Sequence, residues 1–203
     1  MTQITLYAVV PFDRGARARW LAYELGVELQ DHKVDMANKE HKSESYKKIN
    51  PFGQVPAAVI DGKSVFDSAA MCMHLLELHP DSGLSPKVGS PERAAFLSWL
   101  MFGLTTLDKA VFDLFFFKRT PENAEKRKVA FERLKPLLDI LSDQLKNKVY
   151  AFGEKFSFID IILSYNLMLL RRDEVLSQFP VLDAYVDRMA ARPAAEKAGL
   201  FKP

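Results

Sequence analysis

Cysteine is almost absent from this sequence, which has only Cys72 among 203 residues. A single thiol excludes an internal disulfide, a CxxC redox pair and a cysteine-rich zinc site. Cys72 lies between two methionines in a predicted helix, where a buried structural thiol is expected rather than a nucleophile. His32, His74 and His79 do not have the spacing of metal ligands, and we therefore expect no metal site.

Long runs of one kind of residue are also missing. Lys and Arg number 28 against 26 Asp and Glu, and no block of five like charges occurs, which argues against a nucleic-acid partner. The longest apolar-rich run without charge, from Ala94 to Leu107, is shorter than the roughly 18 residues that span a bilayer. The start, Met1-Thr2-Gln3, lacks the basic residues of a secretory signal. We expect no membrane partner and a cytoplasmic location.

The residues that are present are typical of a globular protein. The chain is 48% hydrophobic and 27% charged, with 9 Gly and 11 Pro, which excludes disorder and collagen. Its length allows one domain or two small ones with their own cores. A stretch rich in Pro, Gly and Ser separates two regions of different pattern. We place the first domain at residues 1–80, a linker at 81–90 and the second domain at 91–203.

The first region has the pattern of a small α/β domain. Strands are predicted at residues 4–10, 27–34, 55–60 and 64–66, and helices between 13 and 26, over 38–48 and over 67–78. Asp13 is expected to cap the first helix, and Gly26 to end it. The dipeptide Asp61-Gly62 is a strong hairpin signal. The order, βαβ followed by ββα, predicts a thioredoxin-like domain.

The second region is predicted to be all helical. Proline is favoured in the first turn of a helix and serine at its N-cap, which places helix starts at Pro91, Pro121, Ser157 and near Pro180. The run from Ser157 to Asp160 is a capping box, and Phe156 and Ile161 are placed as a hydrophobic staple. Such a box stabilises a helix start by about 1 kcal/mol and implies no chemistry.

The most informative segment is Asn50-Pro51-Phe52-Gly53-Gln54-Val55-Pro56. Pro56 opens a strand, so the backbone before it has N–H and C=O groups without ladder partners. If the Val55-Pro56 bond is cis, Val55 could pair in antiparallel fashion with an extended peptide. At Asp67-Ser68 a strand gives way to a helix, whose first N–H groups could hold a carboxylate while Asp67 holds an ammonium group. Together these features predict a socket for a short zwitterionic peptide.

Five segments of the first region and one of the second carry a resemblance to a known family. They are Gly26-Val27-Glu28-Leu29, Glu40-His41-Lys42, the run from Ile49 to Ala57, Asp61-Gly62, Phe66-Asp67-Ser68-Ala69-Ala70 and the Ser157 to Asp160 box. With these motifs the chain resembles the cytosolic, bacterial-type glutathione S-transferases over essentially its whole length. The resemblance implies an α/β thioredoxin-like N-terminal domain, an all-α C-terminal domain and a homodimer.

The resemblance also implies a set of glutathione-binding residues, namely His41, Gln54, Val55, Pro56, Asp67 and Ser68. In the family, the proline of this set is cis and the residue before it pairs with the cysteinyl backbone of glutathione. The acidic residue, more often Glu than Asp, and the serine hold the γ-glutamyl end, and the remaining two residues contact the glycyl carboxylate. Glutathione is then a cosubstrate, and no separate cofactor is expected.

The segment between the first strand and the first helix departs from the family. Members use a Tyr, Ser or Cys there to stabilise the glutathione thiolate, and this segment reads Tyr7-Ala8-Val9-Val10-Pro11-Phe12-Asp13-Arg14-Gly15. Depending on the gap, the Ser or Cys position falls on Val10, Phe12 or Asp13. None of these side chains has a hydroxyl or a thiol.

Two routes to a thiolate remain. The first N–H groups of the first helix could stabilise it with Arg14 or Arg17, since Arg14 matches an arginine that some members place near the sulfur. Asp13 would oppose this route if it pointed inward, because a carboxylate raises the pKa of a nearby thiol. In the second route a slipped register aims Tyr7 at the sulfur, although ungapped alignment puts Ala8 at the tyrosine position. The catalytic candidates are Arg14 and Tyr7.

The helix after the linker is strongly aromatic, and most of its aromatic side chains are expected in the core. The resemblance implies that this helix also lines the active cleft and the subunit partner. Residues expected to form an apolar cosubstrate pocket are Phe12, Phe102, Thr105, Thr106 and Lys109.

Two functions are compatible with these features. The first is a transferase that binds glutathione and conjugates its thiolate to small apolar electrophiles, by positioning and thiolate stabilisation. Isomerisation or peroxide reduction with glutathione stays open under this function. The second is a binding or interaction protein of the same fold with little or no turnover, because the usual hydroxyl or thiol is missing.

Overall fold

The chain folds into two units, which a computed structural model describes over residues 2–9 and 13–201. The first unit contains Met1–Ser82 together with Ala191–Pro203, and the second contains Gly83–Ala190. The break after Ser82 lies within the expected linker of residues 81–90. The second unit ends earlier than the expected domain of residues 91–203, because Ala191–Pro203 belong to the first unit.

A mixed four-stranded sheet organises the first unit. Its strands are β1 Ile4–Ala8, β2 Leu29–Lys33, β3 Ala57–Ile60 and β4 Lys63–Phe66, in the order β2-β1-β3-β4. Strand β1 runs parallel to β2 and antiparallel to β3, and β3 and β4 form the predicted hairpin. Ile4, Leu6 and Ala8 are buried, whereas Thr5 and Tyr7 are half-buried on the opposite face. The predicted thioredoxin-like order of elements is confirmed.

Three helices complete the order predicted for this part of the chain. They are α1 Gly15–Glu24, α2 Glu44–Lys47, which follows a 3-10 turn at Glu40–Lys42, and α3 Ser68–Leu78. Helices α1 and α3 pack on each other, with Trp20 and Leu21 of α1 and Met71 and Leu75 of α3 fully buried. These apolar side chains form the core of the first unit with the inner face of the sheet.

The last residues return to the first unit through contacts that sequence reasoning did not foresee. A short helix, α9 Pro193–Ala198, packs against α1. Both nitrogens of the Arg192 guanidinium fork donate to the Glu24 carboxylate at 2.7 Å. The Phe201 ring meets Trp20 edge-on, with centroids 5.5 Å apart. Charge pairing and aromatic packing therefore fix this segment on α1, which is the reason that the expected boundary was wrong.

Helices alone form the second unit over its described residues. They are α4 Arg93–Met101, α5 Asp108–Phe116, α6 Ala124–Leu145, α7 Phe158–Arg172 and α8 Pro180–Ala190. Helix α7 is buried on all sides from Phe158 to Leu170 and is the centre of the unit. The predicted all-α architecture is confirmed. The first predicted helix, however, is divided into α4 and α5 by a π-helical segment, Phe102–Leu107.

By length and composition, the continuous helix from Arg93 to Phe116 would suffice to cross a membrane, since a stretch of 18 of its residues has a mean hydropathy of 1.2. A helix in the core of a globular protein can have the same length and hydropathy. Buried residues of this helix recur every three or four positions, at Phe96, Leu100, Gly103, Leu107, Val111 and Leu114. This spacing places them on one face, which is the pattern of a helix packed against a protein core.

The predicted capping box at the start of α7 is confirmed and lies at the centre of a buried network. Asp160, with no exposed surface, accepts hydrogen bonds from the backbone N–H of Ser157 at 2.8 Å and of Ala151 at 2.7 Å. It also accepts from the hydroxyls of Ser157 at 3.1 Å and Tyr185 at 2.7 Å. Burial raises the pKa of the Asp160 carboxyl. The box therefore joins a loop, α7 and α8 through one side chain.

Candidate functional site

The backbone before β3 lies beyond the last pair of the sheet. The Val55-Pro56 peptide bond is cis. The ladder between β1 and β3 ends at the pair Tyr7 and Ala57, two residues after Val55. Val55 is half-buried, and Pro56 is buried. The structure thus places Val55 just before β3, beyond the last ladder pair, where its backbone could pair with an extended peptide.

The hairpin register brings the second predicted binding segment to the same end of the sheet. Ala57 pairs with Phe66, so the residues just outside this pair, Pro56 and Asp67, leave the hairpin at one end. Tyr7 also pairs with Ala57, and the chain after β1 therefore emerges at the same end. Segments from three parts of the sequence therefore meet at this end of the sheet because of antiparallel pairing alone. We call this end the binding edge, since both predicted binding segments reach it.

Asp67 occupies an unusual backbone conformation at the N-cap of α3, with φ 72° and ψ 123°. Its side chain accepts a hydrogen bond from the N–H of Ala69 at 2.8 Å, while its carboxylate remains exposed. Ser68 follows in the first turn of α3 and is 4% exposed. Positive φ is costly for a residue with a side chain and is concentrated at functional sites. A helix start with an adjacent carboxylate suits a ligand that carries both charges.

The carbonyl of Gln54 anchors the segment before the cis bond. It accepts hydrogen bonds from the Tyr46 hydroxyl and from the Asn50 side-chain amide, each at 2.8 Å. The Asn50 oxygen accepts from the N–H of Phe52 at 3.1 Å, which closes the turn. Burial raises the pKa of Tyr46 to about 12, so its hydroxyl stays protonated and keeps donating. Sequence reasoning predicted neither of these two hydrogen bonds to the Gln54 carbonyl. Asn50 belongs to the motif that was singled out, whereas no sequence signal indicated Tyr46.

A close backbone contact places His41 beside the same segment. A Cβ on Gly53, which has φ 57°, would lie 2.6 Å from the His41 carbonyl oxygen. Lys42 donates its ammonium group to the Gly53 carbonyl at 2.7 Å. His41 Nδ1 is buried without a hydrogen-bond partner among residues 2–9 and 13–201. His41 and Gln54, both predicted to bind, are therefore neighbours, and glycine is required between the two chain segments.

The start of α1 lies directly against the cis proline. A Cβ on Gly15 would be 3.2 Å from Cβ of Pro56 and 3.1 Å from Cβ of Ala8. The absence of a side chain at Gly15 therefore allows the start of the helix to approach the binding edge. This is a steric reason for glycine that the sequence pattern did not reveal.

Asp13 organises the turn into α1, although not as the expected N-cap. The N-cap position is occupied by Arg14, which makes no capping bond with its side chain. Asp13 instead accepts from the N–H of Val9 at 2.6 Å and of Gly15 at 2.8 Å. The N–H of Ala16 bonds to the Asp13 carbonyl at 2.9 Å. These first helix amides are already used, so the expected amide route to a thiolate is closed at Gly15 and Ala16.

The two catalytic candidates occupy different surroundings. Tyr7 packs its ring against His32, with centroids 4.8 Å apart, and against Tyr46 at 6.0 Å. It thus lies on the face of the sheet opposite Ala8, as the alternation of the strand requires. Arg14 is half-buried at the start of α1, next to the binding edge. Phe12, expected in the cosubstrate pocket, lies outside the described residues.

The residues expected to hold an apolar cosubstrate divide between two cavities of the second unit. Thr105, Thr106 and Lys109 line a cavity of about 700 Å³ that also borders α6. Lys109 pairs there with Asp113, with 2.6 Å between Nζ and Oδ2. Phe102 lines a smaller cavity of about 240 Å³ beside Trp99 and Ile140. The structure therefore brings three of these predicted residues together and separates the fourth.

Cys72 and the histidines supply no further site in the described part of the chain. Cys72 is fully buried in α3, and burial raises the pKa of its thiol far above the usual range. It is therefore a neutral side chain of the core. Across residues 2–9 and 13–201, no group of three His, Cys, Asp or Glu side chains comes close enough to hold a metal ion.

The fold and the binding edge together define a thioredoxin-like protein with an all-helical second unit. Residues 2–77 match the glutathione S-transferase N-terminal domain, and residues 106–193 match the glutathione S-transferase C-terminal domain. The chain belongs to the glutathione S-transferase family.

Individual relatives agree with this assignment. The chain is 30% identical over 195 residues to glutathione S-transferase PARB of Nicotiana tabacum, covering 83% of this chain and 84% of the relative. A crystal structure of a glutathione transferase from Methylococcus capsulatus is 30% identical, covers 96% of each chain and has a TM-score of 0.83. Protein LigF of a Sphingobium strain is 37% identical over 97 residues, which are 47% of this chain and 38% of that protein.

Proposed function

We propose that this protein binds glutathione along the edge formed by Val55, Pro56, Asp67 and Ser68. The observation that carries the proposal is the hairpin register, which joins the unpaired backbone before β3 to the start of α3 at one end of the sheet. The backbone of Val55 pairs with the cysteinyl residue of the tripeptide. Asp67 takes the γ-glutamyl ammonium group, and Ser68 with the start of α3 takes the adjacent carboxylate.

His41 and Gln54 are proposed to hold the glycyl carboxylate at the other end of the tripeptide. Both belong to the loop that Lys42, Tyr46 and Asn50 fix in place. Anchoring this loop before glutathione arrives lowers the conformational entropy lost on binding. Glutathione serves as the cosubstrate in this proposal, and the reaction needs no separate cofactor.

The chemistry is the transfer of the glutathione sulfur to an electrophile. A thiol with an ordinary pKa near 8.5 must lose about two pKa units to be mostly ionised at neutral pH, which corresponds to about 2.7 kcal/mol of differential stabilisation. We propose that Arg14 supplies part of this with its guanidinium charge, since the first amides of α1 already bond to Asp13. Tyr7 is the second candidate, and the hydroxyl it offers lies on a ring packed against Tyr46.

The electrophile is proposed to be a small apolar molecule held by the cavity at Thr105, Thr106 and Lys109. An aromatic halide is the generic probe for such a site. An aryl ether is a second probe, because the structure of a relative, LigF, is described as a β-etherase and is 25% identical with a TM-score of 0.80. Turnover of one probe and not of the other distinguishes the two acceptor classes.

Replacing Arg14 by alanine is expected to lower kcat about tenfold and to leave KM for glutathione within about twofold, because a group that acts on the thiolate works mainly after binding. The pKa of bound glutathione should rise in the same variant. Ultraviolet absorbance of the thiolate during a pH titration measures this pKa, and steady-state kinetics measure kcat and KM.

Arg14→Lys is the matched variant, since it keeps the charge and loses the planar fork. It should retain more activity than Arg14→Ala. Equal kcat and equal thiol pKa in wild type and Arg14→Ala would remove Arg14 from the reaction and leave Tyr7. Tight binding of glutathione by the wild type, with an unshifted thiol pKa and no turnover, would instead support a binding protein.

We also propose that the protein is a cytoplasmic homodimer. Phe52 is 68% exposed and Phe66 is 40% exposed, and their rings contact edge-to-face at 5.6 Å on the first unit. A paired exposed aromatic cluster is typical of an interface. Phe52→Ser is expected to weaken the dimer at least about tenfold, since buried aromatic anchors dominate interface energies. Sedimentation equilibrium measures the association, with Val88→Ser, an exposed residue at 87%, as the control.

A further inference from the structure

The π-helical segment between α4 and α5 carries an inference that goes beyond these proposals. Over Phe102–Leu107 the helix widens, and the N–H of Asp108 bonds to the carbonyl of Gly103, five residues earlier, and also to that of Thr105, three residues earlier. Segments of this kind are rare, weaken local hydrogen bonding and occur frequently at functional sites. Their persistence requires support from the surrounding structure.

Asn166 supplies that support from the centre of the unit. This side chain of α7 has no exposed surface, and its Nδ2 donates to the Gly103 carbonyl at 3.0 Å and to the Ile162 carbonyl at 3.1 Å. A buried amide costs free energy unless it is hydrogen-bonded, and Oδ1 of Asn166 is buried without a hydrogen-bond partner among residues 2–9 and 13–201, so the bonds made by Nδ2 are what favours an amide at this position. The Gly103 carbonyl accepts both the Asp108 amide and this second donor.

Two further contacts fix the segment at its start. A Cβ on Gly103 would lie 2.7 Å from Cγ2 of Ile162, so only glycine allows this approach of the backbone to α7. The hydroxyl of Thr105 donates to the Met101 carbonyl at 2.7 Å. Thr105 thus satisfies with its side chain a carbonyl at the point where the regular helix ends.

The widened turn also decides which side chains reach the larger cavity. A π turn contains one residue more than an α turn, and one residue corresponds to about 100° of rotation around a helix. Thr105 and Thr106 lie within the segment and Lys109 follows it, and all three line the cavity of about 700 Å³ beside α6. A regular helix through the same endpoints would rotate these side chains away from their present positions.

We infer that Asn166 is a specificity-determining positioning residue, which holds the π-helical segment through the Gly103 carbonyl. It thereby directs Thr105 and Thr106 into the cavity of about 700 Å³ that is proposed to bind the electrophile, called the acceptor below. The acceptor class that fits is a compact apolar molecule with one group able to hydrogen-bond to a threonine hydroxyl. The inference rests on the proposed function for the identity of the acceptor. It does not involve the binding of glutathione.

The test replaces Asn166 by leucine, which has a similar volume and no donor, and Thr106 by valine, which removes one hydroxyl at constant shape. In Asn166→Leu, KM for the aromatic halide is expected to rise about tenfold while KM for glutathione stays within about twofold, because acceptor contacts alone are displaced. Thr106→Val should shift KM for the acceptor in the same direction and by less. Exchange of the Asp108 amide hydrogen should be faster in Asn166→Leu than in wild type.

An unchanged acceptor KM in folded Asn166→Leu would overturn the inference, and so would an unchanged exchange rate of the Asp108 amide. A parallel rise of both KM values would also overturn it, since that indicates a general loss of structure. Calorimetric titration of wild type with glutathione tests the proposed function separately. If the wild type binds no glutathione, the same three proteins are compared by their dissociation constants for the fluorescent dye 1-anilinonaphthalene-8-sulfonate in place of KM. Thr106→Val then serves as the variant that keeps the fold.

Discussion

Replacing Asp160 by alanine is expected to lower the free energy of unfolding by about 3–5 kcal/mol, because several buried donors lose their acceptor at once and each unsatisfied one costs about 1–3 kcal/mol. The donors are the amides of Ala151 and Ser157 and the hydroxyls of Ser157 and Tyr185. A loss of this size is a large fraction of the stability of a typical domain, about 5–15 kcal/mol. Urea denaturation followed by circular dichroism measures it.

Two variants show whether the loss comes from the network. Ser157→Ala removes one hydroxyl and should cost about 1 kcal/mol, the value of an N-cap. Asp139→Ala removes a half-exposed aspartate of α6 that pairs with Lys135 at 2.7 Å, and should change stability by less than about 0.5 kcal/mol. If Asp160→Ala unfolds at the same urea concentration as Asp139→Ala, the network does not stabilise the helical unit.

Replacing Asp67 by asparagine is expected to raise the dissociation constant of glutathione about 10- to 100-fold, because a charge-assisted hydrogen bond contributes about 1.5–3 kcal/mol. The substitution keeps the shape of the residue. Its amide oxygen can still accept from the Ala69 amide, as Asp67 does at 2.8 Å. Asparagine also tolerates the positive φ of 72° at this position. Isothermal titration calorimetry measures the binding.

A glutathione analogue without the γ-glutamyl amino group is the matched ligand for this variant. It should bind wild type and Asp67→Asn equally, because the charge pair is missing in both cases. The midpoint of thermal unfolding should stay the same in the variant, which excludes damage to the start of α3. Equal affinity of both proteins for glutathione itself would place the ammonium group elsewhere.

Local signals account for the parts of the fold that could be predicted. Asp61-Gly62 marked the hairpin, and Ser157 with Asp160 marked the start of α7, because turn and cap preferences depend on residues close in sequence. For a similar reason, the joint pattern around Val55 and Asp67 singled out two segments that the structure brings to one end of the sheet. Each segment has a local sequence signal for its own backbone conformation, and the strand order determines where the segments meet.

Long-range packing accounts for most of what could not be predicted. The π-helical segment depends on Asn166, which is 63 residues from Gly103. The Tyr46 hydroxyl donates a hydrogen bond to the Gln54 carbonyl, and the residues around Tyr46 in the sequence do not indicate this contact. Asp13 stands where a cap is expected, yet its carboxylate reaches back to Val9 and joins two ends of a turn. Periodicity and propensity contain none of these contacts.

The return of residues 191–203 to the first unit has a consequence for the order in which the protein matures on the ribosome. The helical unit of Gly83–Ala190 is inserted in sequence between the two pieces of the first unit. Arg192, which pairs with Glu24 across 168 positions, is translated only after the whole inserted unit. Because domains fold during synthesis from the N-terminus onward, the nascent first unit lacks α9 until the inserted helices have emerged. The thioredoxin-like unit, although its sheet is translated first, is thus completed only after the helical unit has been translated.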